Sequence, residues 1–431
     1  MSGPRPKSPS APCTSEHRPS KRKPKPAALG ATAAPGAATA PALSLLILQP
    51  TPFCNLACDY CYLTTTSNPA RMSHAVLRGV IDAVPRLAPL PQRLTVVWHA
   101  GEPLVVPGDW YREAFAICAS LARQGTEVDH SIQTNATLID ADRCALIQEH
   151  GVHVGVSLDG PRHLHDRHRI TRKGKGSFER TMAGIRMLQE RDIPFHVICV
   201  LTRETLAEPE GLYAFFRDAG IREVAFNIEE TEGRHTRSSL QGIDVVALHR
   251  SFLRRFRACV IAGEHWMRVR EFDQALSAIT ACGAEQLRNQ QVERGGILTF
   301  DWQGRVSTFS PELIGQPAPV YDDFVFGNPA ADPGASPWHS PAFRRAFADI
   351  RAGVEACRQD CGYFNWCGGG APANKLYELG RLDGTQTLYC RLTKQNVLDL
   401  MVEELEESLG LDTAGAPRPA GPPQPRATGS R

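Results

Sequence analysis

The sequence predicts an α/β protein: a partial (β/α)6, TIM-like barrel followed by a small, metal-stapled domain. Three observations carry this. Short apolar runs alternate with longer amphipathic stretches from residue 43 to about 265, the pattern of successive βαβ units around a parallel sheet. That segment is shorter than the roughly 250 residues of a closed eight-stranded barrel, which favours an open form. Beyond it the pattern breaks into Pro/Gly-rich turns and a cluster of cysteines, a domain held by metal rather than by a large apolar core.

The apolar runs at 45–48, 94–98, 130–133, 153–158, 195–201 and 224–228 read as buried strands. The amphipathic stretches at 73–87, 109–123, 141–149, 178–190, 209–218 and 245–262 read as the helices between them. Residues 297–300 and 306–308 flank Asp301-Trp302-Gln303-Gly304 and read as a hairpin; a last helix is expected from about 393 to 409. Residues 1–42 are rich in Pro and Ala with a basic run at 21–25, and 411–431 are Gly/Pro/Ala-rich. Neither can bury enough apolar surface to offset the entropy of ordering, so both are expected to be disordered tails. The barrel is assigned to 43–265 and the second domain to 266–410.

Formal net charge is +2, from 48 basic and 46 acidic side chains. Such a balance gives no footprint for a nucleic-acid or membrane partner. No apolar run approaches the ~20 residues of a transmembrane helix, and no signal-peptide core is present. The expected compartment is the cytoplasm, where thirteen cysteines read as thiols and metal ligands rather than disulfides. Six of them, Cys13, Cys118, Cys144, Cys199, Cys259 and Cys282, are isolated and read as small apolar filler.

Cys54, Cys58 and Cys61 share one loop directly after the first strand. Sites in parallel α/β folds lie beyond the carboxyl ends of strands. Three thiolates can hold three corners of a cubane, and with no fourth Cys nearby one iron stays open. A structural zinc is the alternative reading, but zinc wants four ligands. With Tyr60 before the last Cys, this spacing resembles the radical S-adenosylmethionine (SAM) superfamily. The resemblance implies an oxidoreductase with a [4Fe–4S] cluster whose open iron is chelated by SAM. Reductive cleavage of SAM would then yield a 5′-deoxyadenosyl radical. Further motifs follow in order. His99-Ala100-Gly101-Glu102-Pro103 looks like the family's Gly-Gly-Glu-Pro loop, with Ala100 in place of the first glycine. The resemblance assigns Gly101, Glu102, Asn135, Ser157 and Arg169 to SAM binding; Arg suits a carboxylate through its planar fork. His99 reads as a packed, hydrogen-bonded histidine.

Cys357, Cys361, Cys367 and Cys390, with Gly368-Gly369-Gly370, can close all corners of a second [4Fe–4S] cluster; a structural zinc on the same thiolates remains open. This knot resembles the SPASM domain of peptide-modifying radical SAM enzymes. Full SPASM domains bind two clusters, but Phe309 and Ala371 stand where ligands of the other would fall. One auxiliary cluster is therefore expected.

The stretch around Phe309-Ser310-Pro311-Glu312, Tyr321–Phe324 and Ala371–Lys375 is similar to cyclophane-forming (GRRM-type, FxsB-like) maturases. That implies a carbon–carbon crosslink, a three-residue cyclophane between an aromatic ring and a side-chain β-carbon, in a ribosomally synthesised precursor peptide. Implied partners are that peptide and a one-electron donor of flavodoxin or ferredoxin type. Sulfatase-type formylglycine formation and thioether formation are the alternatives. Glu229, Glu230 and Glu312 are the candidate bases for removing the ring proton.

Overall fold

The structure, a computed structural model, describes residues 42–280, 288–334 and 336–411. The two tails expected from sequence, apart from residue 42 and Leu411, lie outside the described residues, as do Cys13, Cys282 and the basic run. Six strands lie where apolar runs predict them: β1 (Leu45–Leu48), β2 (Arg93–Trp98), β3 (Glu127–Thr134), β4 (His153–Ser157), β5 (Phe195–Leu201) and β6 (Glu223–Ile228). The connecting helices are α1 (His74–Leu87), α2 (Gly108–Cys118), α3 (Ala141–His150), α4 (Arg162–His168), α5 (Phe178–Gln189), α6 (Arg203–Ala207), α7 (Pro209–Asp218) and α8 (Val245–Ala262).

Local chemistry sets the boundaries. Ser73 caps α1 by accepting from the Val76 N–H at 3.2 Å, and Asp140 caps α3 by accepting from Arg143 at 2.8 Å, satisfying donors that have no partner in the first turn. The stretch expected as one helix at 109–123 breaks at Cys118 into a 3-10 turn, Ala119–Gln124, closed by Gly125 at φ +78°.

Strands β1 to β6 pair in parallel and in chain order. The sheet then extends at both ends. A short β7 (Arg268–Val269) adds beside β6 and leads into α9 (Arg270–Thr280). At the other end β8 (Ile297–Phe300) pairs parallel with β1, and β9 (Val306–Thr308) folds back on it. The expected hairpin is thus present, and it belongs to the barrel sheet. Its turn is held by Asp301, whose carboxylate accepts from Gln303 N (3.0 Å) and from Arg305 N (3.0 Å) and Nε (2.6 Å).

The remainder comprises α10 (Pro341–Asp360), α11 (Phe364–Cys367), α12 (Pro372–Leu379), α13 (Leu388–Cys390) and α14 (Asn396–Ser408). Helix α14 returns to the barrel: Arg257 on α8 bonds Glu404 at 2.9 Å, and Asn396 donates to the Val246 carbonyl at 3.0 Å. The expectation that this region lacks a sizeable apolar core is corrected here. Phe309, Leu313, Tyr321, Phe324, Phe326, Phe343, Ile350 and Leu382 form a buried core of their own. Those outside α10 come singly from separate turns and leave no periodic signal, whereas Phe343 and Ile350 share one face of α10.

Phe309 sits at its centre, fully buried at φ +76°, a conformation that costs a non-glycine residue roughly 1 kcal/mol. Its ring stacks on Phe343 with centroids 5.9 Å apart and planes 2° from parallel, and on Phe347 at 6.1 Å. Phe309→Ala therefore lowers unfolding free energy by about 3–5 kcal/mol, the usual range for emptying a buried aromatic site. Guanidinium denaturation of the full chain reads this directly.

Candidate active site

The loop from Cys54 to Cys61 leaves β1 with almost no regular structure, so its backbone groups find partners elsewhere. Cys54 N donates to Thr66 O (3.0 Å), Ala57 N to Ile170 O (2.8 Å) and Asp59 N to His168 O (3.2 Å). Arg172 Nη1 holds the Cys54 carbonyl at 3.2 Å. Arg234 reaches the Cys61 carbonyl with Nε (3.0 Å) and the Cys58 carbonyl with Nη2 (3.3 Å). Asn135 Nδ2 donates to Asn55 Oδ1 at 2.9 Å. Groups following β3, β4 and β6 thus fix a loop that follows β1.

Gly101 acts by absence. It lies at φ +59°, and a Cβ there would stand 2.5 Å from the Phe53 carbonyl and 2.6 Å from that of Thr51. Only glycine lets this loop press against the chain entering the cysteine loop. Ala100 shares the left-handed conformation at φ +69°.

Glu102 is a brace between strand ends. Oε1 accepts from Leu104 N (3.0 Å) and Thr134 Oγ1 (2.7 Å), and Oε2 from Asn135 N (2.8 Å). Burial raises its pKa, and those three donors oppose the rise. Ser157 Oγ accepts from Gln133 Nε2 at 3.1 Å, joining β3 to β4. Arg169 is buried, with Nε 2.9 Å and Nη2 3.1 Å from the two oxygens of Asp159. Burial, the largest influence, disfavours the Asp159 carboxylate, but the Arg169 charge, His165 and the hydrogen bonds from Arg169 and Tyr60 together hold its pKa below the usual range.

These residues meet around one cavity of about 250 Å³. Cys54, Cys58 and Cys61 line it with Gly101, Glu102, Asn135, Ser157 and Arg169. The His99 ring also faces it; burial lowers its pKa to about 4, so it is neutral. Burial pushes the Cys54 and Cys58 thiols up to about 12. Such thiols ionise only for a strong electrophile such as iron. Three convergent thiols beside a polar cavity therefore suit a cubane with a small-molecule ligand.

The candidate bases separate into two environments. Glu229 is committed: it accepts from Ser239 N (2.9 Å) and the Ser239 hydroxyl and contacts His235 Nε2 (3.1 Å). All three candidates line the cavity, together with Glu232, a residue the sequence does not single out, but Glu230 and Glu312 lack the anchoring contacts of Glu229. Burial, then the Glu312 charge, pushes Glu230 up to about 8, although Asn374 Nδ2 donates to it. Burial also raises Glu312, and raises Glu232 well above the carboxylate range. Glu230, Glu232 and Glu312 also line a second, larger cavity of about 950 Å³ that extends past Asn374 and Tyr389 to Cys367 and Cys390. They stand where the two cavities meet.

The second group of cysteines also converges. Cys357, Cys361, Cys367 and Cys390 line a cavity of about 420 Å³. Lys375 Nζ lies 3.7 Å from Cys357 Sγ, and Thr387 Oγ1 lies 3.1 Å from Cys390 Sγ. Gly370 is at φ +77°, and a Cβ there would lie 3.3 Å from Cys390 Sγ. Among the described residues no three His, Cys, Asp or Glu side chains form a site for a single metal ion, and no helix is long and apolar enough to cross a membrane.

Comparison with known proteins agrees with this geometry. A model of the radical SAM superfamily matches residues 48–216. The uncharacterized protein sll1766 of Synechocystis sp. is 42% identical over 373 residues, 85% of this chain and 93% of that protein. The serine-type anaerobic sulfatase-maturating enzyme of Bacteroides thetaiotaomicron is 33% identical over 201 residues, 44% of this chain; the match spans 48% of that enzyme, about half its length. Two solved structures share the fold. One is native anSMEcpe with bound AdoMet and Cp18Cys peptide (TM-score 0.68, 20% identity, 86% of this chain and 99% of that one). The other is Streptococcus suis SuiB bound to precursor peptide SuiA (TM-score 0.55, 15% identity, 81% and 76%). The chain belongs to the radical SAM superfamily. It is an enzyme whose family uses a [4Fe–4S] cluster and SAM.

The bracing role of Glu102 is testable. Glu102→Ala leaves the Leu104 and Asn135 N–H groups without their acceptor in a buried setting, at about 1–3 kcal/mol each. A matching loss in denaturation midpoint is expected, and an unchanged midpoint would refute the brace.

Proposed function

We propose that this enzyme modifies a ribosomally synthesised precursor peptide, joining an aromatic ring to a side-chain β-carbon as a three-residue cyclophane. The observation that carries this reading is the buried carboxylate group Glu230, Glu232 and Glu312, set where the thiol-lined cavity meets the larger one. A peptide lying in the larger cavity would bring a side chain to that junction.

In this reading Cys54, Cys58 and Cys61 hold the cluster, and Gly101, Glu102, Asn135, Ser157 and Arg169 shape the SAM site around it. When bound, cluster and SAM supply the one-electron chemistry that removes hydrogen from an unactivated carbon. The chain's own residues do the rest. The walls orient the peptide so that the β-carbon and the ring lie in contact, and burial keeps water away. Once the β-carbon has bonded to the ring, aromaticity returns by loss of one proton and one electron. Glu230 takes the proton. Cys357, Cys361, Cys367 and Cys390 would hold an auxiliary [4Fe–4S] cluster, whose four thiolates leave no open iron for substrate and suit it to accept the electron. A flavodoxin- or ferredoxin-type protein would supply the reducing electron for SAM, in the cytoplasm. Domain limits at 43–265 and 266–410 divide the two cysteine-bearing parts in this proposal, although strands β7 to β9 of the second part extend the barrel sheet.

The likeness to a serine-type sulfatase maturase favours a second reading, oxidation of a side chain to formylglycine. Both products lose two hydrogens relative to their precursor, so mass alone does not separate them. Trapping with hydroxylamine does, because only formylglycine carries an aldehyde. Co-expression with a neighbouring small open reading frame, then tandem mass spectrometry, should show a two-hydrogen loss confined to a three-residue segment. It should show no side-chain aldehyde and no new bond to sulfur; a hydroxylamine adduct or a thioether would overturn the cyclophane.

Two sets of variants test the roles. Cys58→Ala abolishes 5′-deoxyadenosine formation while far-UV circular dichroism is retained, since the residue lies on a loop. Cys367→Ala removes one cluster's iron and lowers soluble yield. For Glu230, a carboxylic acid with a pKa near 8 is protonated below that pH and cannot accept a proton. Crosslinking should therefore rise with pH through about 8. Glu230→Gln should slow it by about 10²–10⁴-fold and remove that rise, with deoxyadenosine still formed.

A further inference from the structure

Asp159 lies immediately beyond β4 in a turn whose sequence, Asp-Gly-Pro, needs no function to explain it. Its surroundings do. The side chain is buried, at 1% exposure, and is absent from the wall of the thiol-lined cavity. Its two oxygens take four donors. Oδ2 accepts from Arg169 Nε (2.9 Å) and from the Tyr60 hydroxyl; Oδ1 accepts from Arg169 Nη2 (3.1 Å) and Val200 N (3.0 Å). Arg169 and Tyr60 both line the cavity, and the guanidinium carbon stands 5.4 Å from the centre of the Tyr60 ring. Tyr60 lies between Cys58 and Cys61.

One buried carboxylate thus joins three parts of the chain: the cysteine loop through Tyr60, the segment after α4 through Arg169, and the end of β5 through Val200. We infer that Asp159 is a positioning residue for cofactor binding, locking Arg169 and Tyr60 into one rigid unit on the cavity wall. This rests on the reading of that cavity as the SAM site. The bidentate contact uses the Nε and Nη2 edge and leaves Nη1 on the opposite edge. A free arginine loses rotamer freedom when a ligand fixes it. Here the fixing is done in advance, so less is lost when an anionic group such as the amino-acid carboxylate of SAM arrives. Tyr60 couples that readiness to the position of the cysteine loop.

The test uses the full chain, anaerobically reconstituted, with SAM as the probe. Iron content, SAM dissociation constant and the SAM-induced change in the EPR spectrum of the reduced cluster are measured for wild type, Asp159→Asn, Arg169→Gln, the double variant and Tyr60→Phe. Asp159→Asn should keep its iron and bind SAM at least tenfold more weakly. The double variant should bind no more weakly than Arg169→Gln alone, because Asp159 acts through that arginine; a role in general stability would not produce this pattern. Wild-type affinity in Asp159→Asn, or losses that multiply in the double variant, would overturn the inference. Should Asp159→Asn fail to hold iron, Tyr60→Phe decides: weaker SAM binding with a diminished EPR change supports the coupling, and wild-type values refute it. If wild type itself shows no SAM-induced EPR change, the SAM-site reading falls first, before any variant is compared.

Discussion

On the proposed reading, the loop that offers three thiols to one cluster has to be rigid, yet it has almost no regular secondary structure. In this protein the rigidity is borrowed. Carbonyls of Cys54, Cys58 and Cys61 and amides of Cys54, Ala57 and Asp59 are bonded by groups from other segments. Each such bond contributes modestly to stability, but leaving a buried backbone group unpaired costs about 1–3 kcal/mol. The parallel sheet makes this possible, because it brings the carboxyl ends of successive strands to one side. Gly101 and the Asp159 turn are part of the same device: one removes a side chain so that loops can touch, and the other ties loop to wall.

The acidic junction places a different demand on the fold. Three carboxylates in one buried place cannot all be ionised at neutral pH without large repulsion. Burial and mutual repulsion push their proton affinities up, and Asn374 stabilises the charged form of Glu230. The result is a group of buried carboxyls with raised proton affinity between two cavities, the property that the proposed proton transfer uses. Glu229, adjacent in sequence, has the opposite character: Ser239 and His235 occupy it, and it serves to anchor the segment that carries Arg234.

Much of this was legible from sequence, for identifiable reasons. Strands of mostly apolar, little-exposed residues read as apolar runs, so β1 and β5 match expectation at both ends. The cysteine spacings led to the two thiol-lined cavities. Other features left weaker signals. Helix α10 opens with Ser340 before Pro341, a start signal that was available and overlooked. The aromatic core around Phe309 gives only a partial period, because Phe309, Tyr321, Phe324 and Phe326 come from turns while Phe343 and Phe347 repeat along α10. Asp159 resembled any turn aspartate, and Glu232 any surface acid, until tertiary contacts gave them partners. Neighbouring carboxylates such as Glu229 and Glu230 differ only through what surrounds them, and no spacing encodes that.

The pairing of β1 with β8 has a consequence for synthesis. Strand β1, which launches the cysteine loop, lies between β2 and β8. Residue 48 is therefore flanked on one side by a segment made about fifty residues later and on the other by one completed only at Phe300. A chain emerging from the ribosome can assemble strands two to six in order, while its first strand waits, half-exposed, for most of the polypeptide to appear. Settling of the cysteine loop is thereby tied to synthesis of the first three hundred of 431 residues, and chains that stop earlier are left with an open sheet edge beside the three thiols.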